Sequence, residues 1–161
     1  MKVVVDQAVA ASADRTQAAL LDPSLYEHLA RVSPIGDPEV LADERHGDTV
    51  TQRVRLRFTG KISPLAARFV NPDQLTWVQE TVTELPRRRS QVRTVPDRYG
   101  WLLGFAGWYE IREDGPQRSI QHFECDIAVN VPGLGRLAER GIAAGLREHL
   151  AREAEVIAAM P

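Results

Sequence analysis

The last thirty residues, Pro132 to Pro161, read as one long helix, and that reading constrains everything before it. At about 100° per residue, Leu134, Ala138, Ile142, Gly145, Leu146, His149, Val156, Ile157 and Met160 share one side. Arg136, Arg140 and Arg147 fall opposite, and Glu148 precedes Arg152 by one turn, the favourable order for an ion pair. Pro132 and Gly133 end the preceding segment, and Pro161 follows the helix. A one-sided helix of this length does not persist alone in water, so the stripe requires a cover. Ala138, Gly141 and Gly145 thin the stripe in its first half, while Ile157 and Met160 thicken it in the second. Glycine inside a helix costs about 1 kcal/mol relative to alanine. The two glycines therefore imply a strand passing close by, the expected case, or room for a guest beneath the helix.

The cover is written in the preceding residues. Residues 2–9 alternate and are rich in valine, as a strand requires. Ser12 is a helix N-cap with Asp14 in the first turn, and that helix runs to about Leu21. Asp22 and Pro23 start a second short helix to about Val32, burying Leu25, Tyr26 and Leu29. From Pro38 the period becomes two. Strands are predicted over 38–46, 49–59, 74–85, 88–95, 103–112 and 117–131, with turns at His46-Gly47-Asp48, Pro96-Asp97 and Asp114-Gly115-Pro116. In the 49–59 strand Val50, Val54, Leu56 and Phe58 face one way and Arg53, Arg55 and Arg57 the other, so one face is solvated. If the next strand is its neighbour, Glu80 and Glu84 face those arginines. The segment 60–73 reads as a loop with one helical turn at Leu65–Phe69. The expected architecture is α+β: a seven-stranded antiparallel curved sheet wrapped around a long C-terminal helix, with two short helices after the first strand, in a single domain over residues 1–161.

Charge and cysteine content exclude several functions. A net charge of −2 gives no electrostatic footprint for nucleic acid. The single cysteine, Cys125, excludes an internal disulfide and a cysteine-based metal cluster. No apolar run is long enough for a signal peptide or a membrane span, so the expected location is cytoplasmic.

With this element order, the chain resembles the START-like, or SRPBCC, helix-grip superfamily. Leu21-Asp22-Pro23 with Tyr26 is similar to the junction between that superfamily's first two helices. Val131-Pro132-Gly133-Leu134-Gly135 with Glu139 is similar to the strand-to-helix junction of an uncharacterised actinobacterial branch. The resemblance implies a hydrophobic cavity under the last helix, holding a lipid, isoprenoid or polyketide-like molecule; no cofactor and no metal are expected. It implies no reaction, since catalytic residues differ between branches.

The candidate ligand-binding residues follow from the inward positions. Leu56, Phe58, Trp77, Phe105, Tyr109, Phe123 and Cys125 come from the sheet. Ala138, Gly141, Ile142, Gly145 and His149 come from the helix. His149, with Glu153 one turn on, and Tyr109 are the candidate acid–base groups for the alternative reading, a polyketide cyclase or dehydratase-like enzyme. A third reading is a ligand-free protein-interaction domain. His122, Glu124 and Asp126 share one strand face but are expected to point to solvent. Arg87, Arg88, Arg89, Arg93 and Arg98 are expected to mark a solvated strand edge. The apolar run Tyr99–Phe105 is expected to begin its strand early and be buried; an exposed tip there would suit transient contact with a bilayer.

Overall fold

The computed structural model describes all residues, Met1–Pro161. Strand β1 (Lys2–Val9) leads into helices α1 (Ala13–Leu21) and α2 (Leu25–Leu29). Strands β2 (Ile35–His46), β3 (Thr49–Phe58), β4 (Thr76–Glu84), β5 (Arg89–Pro96), β6 (Leu103–Glu113) and β7 (Ser119–Val129) follow, and helix α3 (Gly135–Ala159) closes the chain. The seven strands form one antiparallel sheet in the order β1-β7-β6-β5-β4-β3-β2. Six strands run as a meander, and β1 joins β7 at the far edge.

Local chemistry accounts for the helix starts. The Ser12 side chain accepts from Arg15 N–H, capping α1 as expected. Asp22 Oδ1 accepts from Ser24 N–H at 2.9 Å, so α2 begins two residues after Pro23. Strand β2 starts earlier than the sequence suggests. Pro38 sits at a break in its register with β3, and Asp37 beside it has φ +51°. An edge strand tolerates a proline at such an irregularity because one of its backbone sides has no partner.

The residues in register divide the concave face into rows. One row runs Val50, Thr83, Ser90, Tyr109, Phe123, Val5 across six strands, and nearly all of it is buried under α1, α2 and the second half of α3. The main core gathers Leu20, Leu29, Ile111, Phe123, Ile127, Leu150 and Ile157. Gly107 interrupts the next row. A Cβ there would overlap the Glu124 carbonyl oxygen and lie 2.6 Å from Cys125 Cβ, so the close approach of β6 and β7 requires glycine.

Helix α3 departs from its expected face. Its fully buried residues are Ala143, Leu150, Glu153, Ala154 and Ile157. The expected stripe lies to one side of that line: Ala138, Ile142, Leu146, His149, Val156 and Met160 are half-buried. The helix thus presents two adjoining faces, one packed on β1 and β7 and one turned along the concave sheet. Gly141 and Gly145 are corrected outright. Both are exposed, and a Cβ on either meets nothing within 4 Å, so no strand approaches them.

The convex face carries charge. Arg53 meets Glu80 at 3.3 Å, as the strand pairing predicts, and Arg93 shares the same carboxylate. Arg55 meets Asp97 at 3.2 Å and Arg57 meets Asp37 at 2.7 Å. Glu84 pairs instead with Arg87, at 3.5 Å. The arginine cluster does not lie on a sheet edge: β5 is central, between β4 and β6. Arg89 stacks over the Trp108 ring at 3.9 Å, and Arg88 bridges Asp14 and Glu113.

Candidate functional site

At one end of the sheet β3, β5 and β7 finish and β4 and β6 begin; α3 also starts there. Toward this tip the rows of the concave face lose their cover. Trp77 and Pro96 in one row, and Gln79, Thr94 and Phe105 in the next, are only half-buried. Phe58 and Leu103 at the strand ends are half-buried too. The adjoining face of α3 supplies Ala138, Ile142 and Leu146, with Ile142 and Leu146 touching the main core. These partly covered apolar side chains mark a candidate cleft between the sheet and the first half of α3.

Polar groups gather at its inner end. His149 Nδ1 lies 3.0 Å from Ser33 Oγ, and His149 Nε2 lies 3.7 Å from Glu153 Oε2. Glu153 is only 8% exposed and accepts from Gln121 Nε2 at 3.3 Å. The opposite Gln121 rotamer would set its oxygen against that carboxylate, so Oε1 is left buried without a partner. Tyr26 Oη accepts from Gln79 Nε2 at 3.3 Å. Burial first, then the charges of Tyr109 and Glu153, drive the Tyr26 phenol well above its ordinary 10. Burial pushes Tyr109 up to about 12, opposed by its hydrogen bond with Ser90. Phenols so hard to ionise keep their proton and can donate a hydrogen bond with it. Glu153 and His149 are among the groups there that can accept a hydrogen bond, with Ser33, Tyr26 and the unpartnered Oε1 of Gln121.

The candidate residues thus separate. Phe58, Trp77, Phe105, Ala138, Ile142 and His149 are each left half-buried. Leu56, Tyr109, Phe123 and Cys125 are buried in the packed interior, and burial pushes the Cys125 thiol up to about 11. Gly141 and Gly145 lie outside on α3. Sequence reasoning passed over Ser33, Gln79, Thr94 and Gln121. The inward positions of β4 and β5 carry Gln79, Thr81, Thr83, Ser90 and Thr94, and this polar run on a covered face was the available signal. A crevice between α1 and the sheet, lined by Gln17, Leu20, Thr83, Ser90 and Tyr109, leaves no room for a water molecule.

His122 faces the convex side, as its strand position predicts, but is buried rather than solvated. The Trp108 ring lies 5.3 Å from it, Asp6 holds Nδ1 at 2.6 Å and Glu124 holds Nε2 at 3.0 Å. Asp6 first, then Glu124, raise its pKa above the ordinary 6.5, against burial and Arg112. A group whose folded-state pKa is raised contributes stability that is full below its unfolded value and is lost as pH rises through the folded value. Stability is therefore expected to decline as pH climbs from about 6.5 through the His122 titration. NMR titration of the His122 ring checks this: Asp6→Asn should bring the midpoint down, and an unmoved midpoint would contradict the assignment.

The sheet, the two short helices and the gripping α3 form a START-like helix-grip fold. The chain belongs to a family described as "Protein of unknown function (DUF2505)", which matches residues 5–160. Truncated norcoclaurine synthase from Thalictrum flavum superposes with a TM-score of 0.69 at 16% identity, over 100% of this chain and 95% of that one. The Zhui aromatase/cyclase from Streptomyces sp. R1128 gives 0.64 at 17% identity, over 96% and 93%. A START superfamily protein from Mycobacterium smegmatis gives 0.62 at 21% identity, over 96% and 94%. Identities this low establish a shared fold. No curated protein matches the sequence.

Proposed function

We propose that residues 1–161 act as one unit that binds an apolar small molecule, lipid-, isoprenoid- or polyketide-like, in the cleft between the sheet and α3. The observation that carries this reading is that Phe58, Trp77, Phe105 and Ile142 are only half-buried, at the end of a face whose middle is covered. Large apolar groups left uncovered in a concave position mark ligand clefts. The polar inner end adds a preference: a guest bearing a hydroxyl or amine donor would meet Glu153 and His149. The shared fold with a START superfamily protein and with aromatase/cyclases supports a small-molecule partner. No helix is long and apolar enough to cross a membrane, and a cytoplasmic location is part of this proposal.

The test uses the fluorescent probe 1-anilinonaphthalene-8-sulfonate, alongside native mass spectrometry of freshly purified protein. Ile142→Trp fills the cleft from α3, and Ala138→Trp does so one turn earlier. Each should reduce probe uptake at least about tenfold, equivalent to about 1.4 kcal/mol. Wild-type uptake by both folded variants would sink the placement of the site.

A second reading rests on the His149–Glu153 pair. A carboxylate beside an imidazole at the end of a cleft is an acid–base arrangement, and the fold is shared with an aromatase/cyclase. His149→Ala separates the two. A carrier keeps most of its affinity, whereas an enzyme using this pair loses turnover.

A further inference from the structure

The tip of the sheet exposes more than the cleft. Trp101 is 70% exposed and Leu137 67%, with Phe69 at 44% and Leu65 at 42%. These come from three separate segments, the β5–β6 turn, the first turn of α3 and the β3–β4 loop, all at the end where α3 begins. The expectation that Trp101 is buried in an early strand is overturned: β6 starts at Leu103, and Leu102 is the buried residue. The Trp101 loop is also held in place. Tyr99 adopts φ +63°; its hydroxyl accepts from Asn71 N–H at 3.0 Å and reaches Gln74 at 3.2 Å. On the other side, Asn130 Nδ2 donates to the Trp101 carbonyl at 3.2 Å. The indole is held in solvent by bonds to two neighbouring segments.

The same segments carry Lys61, Arg68, Arg98, Arg136 and Arg140, all exposed. Their acids are Asp73, Asp97 and Glu139. Asp97 is neutralised by Arg55, and Glu139 accepts from Val129 N–H at 3.2 Å. The segments at this tip thus combine exposed apolar side chains with an excess of exposed cations. A second copy of this chain would bring like charges together, which disfavours self-association. An anionic lipid surface complements both features, because aromatic and aliphatic side chains insert at the interface while Lys and Arg meet the headgroups.

We propose that the tip, centred on Trp101 and Leu137, docks on anionic bilayers. Docking there would set the mouth of the cleft against the lipid. The proposal needs no bound ligand, so it stands or falls separately from the ligand reading.

The experiment is co-sedimentation of the full chain with vesicles of phosphatidylglycerol and phosphatidylcholine, against vesicles of phosphatidylcholine alone. Binding is expected to the anionic vesicles only, and to weaken as salt is raised. Trp101→Ser with Leu137→Ser should reduce it at least about tenfold. Arg98→Glu with Arg136→Glu should do so separately, since each basic residue near such a surface contributes about 1 kcal/mol, or about fivefold. All four positions are exposed, and an unchanged melting temperature confirms that the variants fold. Failure to sediment with anionic vesicles, equal binding to both vesicle types, or wild-type binding by the Trp101/Leu137 variant would overturn the proposal. So would a dimer in solution that these substitutions dissociate, which would assign the patch to self-association.

Discussion

Replacing Gly107 with alanine is expected to destabilise the protein by about 3 kcal/mol, and replacement with valine by more, because overpacking costs most where the neighbours cannot yield. Three atoms decide this. A Cβ on Gly107 overlaps the carbonyl oxygen of Glu124, lies 2.6 Å from Cys125 Cβ and 2.8 Å from Cys125 Cα. Two of the three are backbone atoms of β7, which is paired on its other side to β1, so β7 cannot move away alone. Gly107 also occupies a row between Val92 and Cys125, near the middle of the sheet. Glycine at such a place lets strands bend and close on each other. For a chain of this size the expected loss corresponds to a fall in melting temperature of about 6–12 °C. Calorimetry of Gly107→Ala measures it, and a melting temperature within a degree of wild type would contradict the close approach.

Much of the fold is legible because it rests on local periodicity. The alternation of Val50, Val54 and Leu56 with Arg53, Arg55 and Arg57 fixes which face of β3 is covered, and the Arg53–Glu80 pair follows from strand adjacency alone. Ser12 marks the start of α1 through a hydrogen bond between near neighbours. The errors occur where a third element decides. Nothing within the Arg87–Arg89 run shows whether β5 is an edge or a centre, because that is settled by β4 and β6 arriving on both sides. Apolar periodicity alone does not say that Trp101 stays out while Leu102 goes in, since that depends on Asn130 and Asn71 binding the loop from other segments.

The candidate site was half legible for the same reason. Inward-facing residues can be read from period two, and the register sets Trp77 beside Leu56 and Phe105 beside Ile127 on that face. Whether an inward residue is packed or left at a cleft depends on how far the covering helices reach, which sets Leu56 and Phe123 apart from Trp77 and Phe105. The glycines of α3 show the limit most directly. Gly141 and Gly145 imply a strand passing close by or room for a guest, whereas the tightly packed line is Ala143, Leu150, Ala154 and Ile157, about a third to half a turn further round.

That line leads to the other large expected effect. Ile157→Ala should cost about 2–5 kcal/mol, the range for truncating a fully enclosed aliphatic side chain. Ile157 is 1% exposed and belongs to the core cluster with Leu150 and Ala154, on the half of α3 that secures it to the sheet. Ile142 is the same residue type on the same helix, but half-buried beside the cleft, and Ile142→Ala should cost only about 1 kcal/mol because less apolar area is lost from cover. Urea unfolding of the two variants compares them directly: with a slope of about 1–3 kcal/mol per molar, the midpoints should differ visibly. The asymmetry follows from the division of labour within one helix. Its second half is anchored by packing, so its first half can leave apolar side chains uncovered at the cleft without loosening the fold. Equal losses from Ile142→Ala and Ile157→Ala would mean that both halves are packed alike, and the cleft would then have to be narrower than the half-exposure of Phe105 and Trp77 indicates.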